Sequence, residues 1–390
     1  MKGFKLSVLS AILCAAIIIP SFKWGFTGAY AAEPIMLSGA KSACLMEADG
    51  GEIIYSKGDE KRLPIASMTK IMTLNIVFER IEDGSLDINE EITVSAAASG
   101  MGGSQVFLQA DKKYRVKELI KSVIVASAND SSVALAEKVA GGESSFVTLM
   151  NEKADEWGMK NTCFSNATGL PGGKQYSTAK DVAIMLSHLI RHKTFFDFST
   201  VWLDSFAHPD GSYTTITNTN KLIRRYAGCD GGKTGYTQEA GFCVAATAKR
   251  GALRMICVVL GEKSSDERFD EVSAAFDYSF ANYGNKILVE ENEILPEKVK
   301  ISGGMTEELT ASSLKRVTCF YKVGDKSEYT FKFLPYERVT APVKKGDEVG
   351  EIIVFKDGVE QKRVKAYSAE EVAVLSYGES IRRAGEKWKI

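Results

Sequence analysis

Gly241-Phe242-Cys243-Val244-Ala245-Ala246-Thr247-Ala248 and Leu253-Arg254-Met255-Ile256-Cys257-Val258-Val259-Leu260 are two apolar runs flanking Lys249-Arg250-Gly251-Ala252. Two such runs around a short glycine-containing break read as a β-hairpin. Apolar residues fill nearly every position instead of every second one, so both faces of the pair are expected to be buried. Near the other end, Ala43-Cys44-Leu45-Met46 and Ile53-Ile54-Tyr55 flank Asp49-Gly50-Gly51, a second hairpin. Between the two pairs the periodicity is helical. Strands at both ends with helices between them predict an α+β domain whose single antiparallel sheet unites the ends.

The helical segments are read from their apolar stripes. Ile71, Met72, Leu74, Ile76, Val77 and Phe78 form one, and Leu119, Ile120, Val123, Ile124 and Val125 another. Val133 to Val139 and Phe146 to Trp157 follow, Thr178 caps a helix through Ile190, and a closing helix spans about Ser265 to Tyr283. Near Asn285-Lys286 the texture changes to short strands: Arg316 to Tyr321, Tyr329 to Phe333, Glu351 to Phe355 and Gln361 to Ala366. These predict a small, mostly β domain with no catalytic constellation of its own. In the tail, Val374, Tyr377, Ile381, Ala384 and Trp388 recur at three- and four-residue steps, with Arg382, Arg383, Lys387 and Lys389 elsewhere on the wheel. That pattern suits a helix lying on a membrane surface, although Gly378 and Gly385 weaken it and a packed terminal helix fits as well.

The termini and composition narrow the function. Lys2 and Lys5 precede an apolar stretch from Leu6 to Pro20, and Ala29-Tyr30-Ala31 offers a small-x-small cleavage site. This is the layout of a secretory signal peptide, so export is expected. The expected divisions are 1–31 signal peptide, 32–285 main domain, 286–372 β-rich domain and 373–390 amphipathic tail. A net charge of -1 gives no reason to expect a nucleic-acid partner. Outside the leader the cysteines are Cys44, Cys163, Cys229, Cys243, Cys257 and Cys319, scattered and without C-x-x-C pairs. Buried free thiols are expected, with a Cys243–Cys257 bridge the alternative. His188, His192 and His208 are the only histidines. A zinc site is therefore not expected, nor is any other metal or cofactor, and a Ser-His-Asp triad has few candidate bases.

A different base is available. In Pro64-Ile65-Ala66-Ser67-Met68-Thr69-Lys70 a hydroxyl and an amine stand three residues apart at the start of the first apolar helix, on one face. A desolvated lysine beside a second cation can take a serine's proton. S-x-x-K also occurs at Ser38/Lys41, Ser177/Lys180 and Ser312/Lys315, so the spacing alone decides nothing. Two further segments single out Ser67. Ser127 and Asn129 follow an apolar helix on a tight turn, where a hydroxyl could relay a proton and an amide hold a carbonyl. Lys233-Thr234-Gly235-Tyr236 opens the strand before the long hairpin. It offers a cation and a hydroxyl to an anion, and a glycine where a substrate backbone could come close.

Together these three segments resemble the penicillin-recognising serine enzymes, with their S-x-x-K, S-x-N and K-T-G motifs. The closer resemblance is to the low-molecular-mass penicillin-binding proteins that are D-alanyl-D-alanine carboxypeptidases. Asn218-Thr219-Asn220-Lys221-Leu222, Val258-Val259-Leu260-Gly261, Ile301-Ser302-Gly303-Gly304 and Thr340-Ala341-Pro342-Val343-Lys344-Lys345-Gly346 carry it across nearly the whole mature chain. The resemblance implies a penicillin-binding/β-lactamase-like domain followed by a β domain, and a peptidoglycan stem peptide ending in D-Ala-D-Ala as substrate. It also implies covalent inhibition by β-lactams. By the same resemblance Ser67 is the nucleophile and Lys70 its base, Ser127 passes a proton to the leaving amine, and Asn129 positions the peptide and Lys70. Lys233, Thr234 and Arg268 would hold the substrate carboxylate, and the N–H groups of Ser67 and Tyr236 would form the oxyanion hole. A class A β-lactamase would share the motifs, but its E-x-x-L-N segment is absent between the second and third. A catalytically inert β-lactam sensor is the reading from another class.

Overall fold

Alternation along the predicted hairpin explains the architecture. In the computed structural model, which describes residues 37–387, a five-stranded antiparallel sheet has a helical layer on each face. Its strands are β1 (Ser42–Glu47), β2 (Ile53–Lys57), β3 (Cys229–Thr237), β4 (Gly241–Arg250) and β5 (Leu253–Glu262), in the order β2-β1-β5-β4-β3. β1 pairs with β5 over Ser42↔Leu260 to Glu47↔Met255, so the two ends of the segment share one sheet as expected.

Successive side chains on β5 enter opposite cores. Ile256, Val258 and Leu260 join the larger apolar cluster, while Met255, Cys257 and Val259 join the other. On one face lie α1 (Lys70–Glu82), α2 (Val116–Val125), α3 (Asn129–Ala140), α4 (Glu143–Glu156) and α5 (Ala179–Leu189). On the other lies α6 (Ser265–Asn282), whose Phe269, Val272, Ala275 and Phe276 are buried against the sheet. Full burial of each such side chain stabilises the fold by roughly 1.5–3 kcal/mol. Thr178 caps α5 by accepting from the Asp181 N–H at 3.0 Å.

The sheet also answers the cysteine question. Cys243 packs in one cluster and Cys257 in the other, on opposite faces, so no bridge can join them. All six described cysteines are free, and Cys163 is half-buried where the rest are buried.

Two strand pairs carry too little signal to be read as pairs: the hairpin of Leu203–Ala207 with Tyr213–Thr217, and Glu91–Thr93 with the distant Lys113–Arg115. Each strand buries a single side chain (Phe206, Ile216, Ile92 and Tyr114), a weak signal. Beyond α6 the chain forms short sheets around a third apolar cluster, running from Val289 to Val372. The main sheet there joins Tyr329–Pro335, Glu348–Lys356 and Val359–Ser368 as antiparallel neighbours. Tyr377–Lys387 is helical, and Arg383 docks it by donating to the carbonyl oxygens of Gly304 and Met305. The predicted signal peptide, together with Trp388 and Lys389 of the tail, lies outside the described residues. No helix among the described residues is long and apolar enough to cross a membrane.

Candidate active site

Ser67 sits on a turn gripped from two sides. Ala66–Thr69 form one turn of 3₁₀ helix, and α1 begins only at Lys70, so the serine precedes the α-helix instead of opening it. Ala66 holds φ at 47°. For a non-glycine residue such a conformation costs about 1 kcal/mol or more and persists only where neighbours impose it. Two glycines impose it here. A Cβ on Gly235 would stand 2.6 Å from the Ile65 carbonyl oxygen and 3.3 Å from the Ser67 nitrogen. One on Gly169 would stand 1.9 Å from the Ala66 carbonyl oxygen. On the side where a Cβ would project from Gly235, the neighbouring backbone is that of residues 65–67.

Lys70 lies within reach of that serine. Its Nζ donates to Ser67 Oγ at 3.1 Å and to the Thr168 carbonyl oxygen at 2.6 Å. The first nine residues of α1, Lys70 to Phe78, are all buried, so the amine stands at the buried end of an apolar helix. Burial holds its pKa well below the ordinary lysine range; Lys233 pushes it the same way, and Asp130 opposes both.

The second and third cations come from β3 and α6. Lys233 is 1% exposed, and burial, then Arg268, lowers its pKa to about 7. Its Nζ donates to the Thr234 carbonyl oxygen at 3.2 Å. Arg268 is buried rather than solvated. Its guanidinium donates to the carbonyl oxygens of Gly235 at 3.3 Å and Cys243 at 3.1 Å, and Nε has no partner. Burial lowers its pKa to about 10. Among the described residues none of the three cations forms a salt bridge. Thr234 is buried, and Tyr236 is 57% exposed with its ring packed on Phe242 at 4.4 Å between centroids.

Ser127 occupies the turn between α2 and α3 with φ at 62°, another left-handed non-glycine residue. It is buried, yet its Oγ has no hydrogen-bond partner. A buried hydroxyl left unpaired costs about 1–3 kcal/mol, so it marks a place where a ligand group can complete the bonding. Asn129 is in the same state at Oδ1, while its Nδ2 donates to the Gly102 carbonyl oxygen at 2.7 Å. Its bonds run to the 102–104 loop and not to Lys70. The electrostatic link from this turn to Lys70 is the next residue, Asp130.

Three contributors escaped the sequence reading. The Thr168 carbonyl fixes Lys70, Gly169 leaves room for the turn that carries Ser67, and Asp130 acts on Lys70 from within the protein. The 166–169 loop is shaped by Asn166, whose Oδ1 accepts from the N–H groups of Thr168 at 3.1 Å and Gly169 at 2.7 Å. Asn-x-Thr-Gly is the signal that could have located this loop, as an Asx turn. Asp130 accepts from the N–H groups of Val106 and Leu108, each at 3.0 Å. No group of described residues is disposed to hold a metal ion.

Comparison with known proteins agrees with this geometry. Residues 30–264 match the family described as D-alanyl-D-alanine carboxypeptidase, and residues 283–374 match the penicillin-binding protein 5 C-terminal domain. The chain is 38% identical to the D-alanyl-D-alanine carboxypeptidase DacF of Bacillus subtilis, over 82% of each chain. It is similar to the crystal structure of penicillin-binding protein 5 from Haemophilus influenzae at a TM-score of 0.68 and 27% identity. That match covers 88% of this chain and 99% of that one. Penicillin-binding protein D2 of Listeria monocytogenes, solved in its ampicillin-bound form, matches at a TM-score of 0.57 and 29% identity, over 64% of this chain and all of that one. The chain belongs to the D-alanyl-D-alanine carboxypeptidase family of low-molecular-mass penicillin-binding proteins.

Proposed function

We propose that this protein removes the terminal D-alanine from peptidoglycan stem peptides through an acyl-enzyme on Ser67. The serine D-Ala-D-Ala carboxypeptidase activity and its place in peptidoglycan metabolism follow from family membership. The assignment of roles to residues is our own, and the observation that carries it is the buried Lys70 amine 3.1 Å from Ser67 Oγ. A lysine kept neutral by burial and a neighbouring cation has a lone pair to offer, which an ordinary solvated lysine does not.

In this reading Ser67 Oγ attacks the carbonyl carbon of the D-Ala-D-Ala amide while Lys70 Nζ takes the hydroxyl proton. The developing oxyanion is met by the backbone N–H groups of Ser67 and Tyr236. The tight approach of the Gly235 backbone to the Ser67 nitrogen supports that pairing. Collapse breaks the C–N bond, and the departing D-alanine amine takes a proton relayed through Ser127, whose buried hydroxyl has no partner of its own. Lys233 and Thr234 hold the terminal carboxylate, with Arg268 adding positive charge through the Gly235 end of β3. Asn129 offers its amide to the peptide. Water then hydrolyses the ester, and Lys70 activates it as it activated the serine. β-Lactams present the same amide geometry and acylate Ser67.

Peptidoglycan lies outside the cytoplasmic membrane, so the protein acts there; export by residues 1–31 and division at about residue 285 are part of the proposal. So is contact of the tail with a membrane surface, for which the exposed Tyr377 and Ile381 on the terminal helix give support. Flotation of the full chain with phospholipid vesicles, lost on deleting residues 373–390, tests that contact. The test of activity is release of D-alanine from diacetyl-L-Lys-D-Ala-D-Ala. Rapid penicillin hydrolysis with no D-alanine released would point to a lactamase, and acylation with neither product to a sensor.

A further inference from the structure

Away from the serine, a polar cleft of about 570 Å³ opens where the end of α5 and the turn of the β4–β5 hairpin meet residues 314–316 of the carboxy-terminal region. Six basic residues line it, Arg191, Lys193, Lys249, Arg254, Lys315 and Arg316, against two carboxylates, Asp49 and Glu291. Asp49 Oδ1 pairs with Arg316 and Glu291 with Lys193, each at 3.5 Å; Asp49 Oδ2 is buried without a hydrogen-bond partner, and its charge also acts on Arg191 and Lys315. Arg254 is held by Asp230 at 2.7 Å. Among the described residues Arg191, Lys249 and Lys315 form no salt bridge.

Six cations against two carboxylates leave an excess of like charge in the recess, and an anion entering it would relieve their repulsion. The effect reaches neighbouring groups. Partial burial lowers the pKa of both Arg191 and Lys315, Arg191 and Lys362 lower that of Lys315 further, and Asp49 opposes the shift in both. His188, close by, is lowered to about 4, chiefly by burial, with Arg191 and Lys315 among the cations that contribute. The cleft is also not a single point. A second cavity of about 480 Å³ shares Arg191, Leu314 and Lys315 with it and continues past Arg363 and Lys365, both of which are paired with glutamates at the surface. A small anion would occupy one of the two; an extended, multiply charged chain can occupy both.

We propose that these adjoining cavities form a track for a linear polyanion, a cell-wall polymer bearing phosphate or carboxylate groups on successive units. The track would tether the enzyme to the wall beside its substrate, by charge and independently of the serine site.

The test measures binding of fluorescein-labelled short-chain inorganic polyphosphate and poly-D-glutamate to the full chain by anisotropy at low salt. Arg191→Gln/Lys315→Gln should weaken binding of the preferred polymer about tenfold and flatten its salt dependence. Lys249→Gln/Lys315→Gln should do the same, and D-alanine release should be unchanged in both. Preference for polyphosphate assigns phosphate groups to the natural polymer, and preference for polyglutamate assigns carboxylates. Lys326→Gln/Lys332→Gln, at exposed positions outside both cavities, should leave binding nearly intact. The proposal is overturned if neither polymer binds, or if that control pair loses as much as the cleft pairs. It is also overturned if phosphatidylglycerol vesicles alone bind through Arg191 and Lys315.

Discussion

The serine cleft and the carboxy-terminal sheet treat positive charge in opposite ways. In the cleft Lys70, Lys233 and Arg268 are buried without salt bridges, and burial lowers the pKa of each. In the carboxy-terminal sheet Arg363 pairs with Glu351 at 2.9 Å and Glu360 at 2.8 Å, and Lys356 with Asp325 at 2.8 Å. There, carboxylate partners raise the pKa of the cations. Desolvating a cation without a partner destabilises the fold and makes the amine a base; pairing one in water does neither.

The largest expected effect is at Ser67, the proposed nucleophile. Ser67→Ala should lower D-alanine release by about 10⁴-fold or more and abolish covalent labelling by fluorescent penicillin, with the circular dichroism of the folded protein retained. Lys70→Met, close in size and apolar, should lower acylation by about 10²–10⁴-fold. If Lys70→Met acylated at the wild-type rate, burial without pairing would have no catalytic meaning and the contrast between the two regions would break.

Lys233 sharpens it through pH. If Lys70 acts as the proposed base, acylation should rise with pH through its lowered pKa, then fall above about 7 as Lys233 loses the charge proposed to hold the carboxylate. Lys233 is among the groups that lower the pKa of Lys70. Lys233→Gln removes the repulsion, so the rising limb should move to higher pH, the falling limb should disappear, and the maximum should drop through lost carboxylate binding. Stopped-flow acylation by a chromogenic cephalosporin between mildly acidic and alkaline pH gives both limbs. A rising limb that stays in place, or moves to lower pH, would remove Lys233 from the tuning of Lys70.

Gly235→Ala should act through the turn it touches. A Cβ 2.6 Å from the Ile65 oxygen must displace backbone, which costs typically about 1–3 kcal/mol. Because Ser67 moves with that turn, kcat should fall about tenfold or more with little change in KM. Thermal melting and steady-state kinetics on one preparation separate the two effects.

Much of this was legible in the sequence where one side chain carries the signal. The hairpin at 241–260 declared its two buried faces by unbroken apolar runs, and Thr178 declared its cap. Ser67, Lys70, Ser127 and Lys233 stood in recognisable spacings. What stayed hidden depends on backbone placement across long separations. The Thr168 carbonyl that holds Lys70 is 98 residues away, and any residue type can supply a carbonyl. The role of Gly235 depends on a backbone approach between β3 and the 65–67 turn that no local pattern encodes. The paired strands 203–207 and 213–217 have too few apolar side chains to announce themselves. The unpaired Ser127 Oγ becomes informative only once its surroundings are known.

The smallest effect is expected from the best-paired cation. Arg363→Ala removes two surface ion pairs in the carboxy-terminal sheet, one with the exposed Glu360 and one with the half-buried Glu351. Screening and the entropy of holding long side chains in place leave such pairs with little net stabilisation. D-alanine release should therefore be unchanged and the melting temperature nearly so, with any difference shrinking as salt is added. Counting ion pairs would predict the opposite ranking, since Arg363 is salt-bridged and Lys70 is not. The two regions differ in whether water has been removed, and a large loss of activity from Arg363→Ala, with the fold intact, would show that burial is the wrong variable.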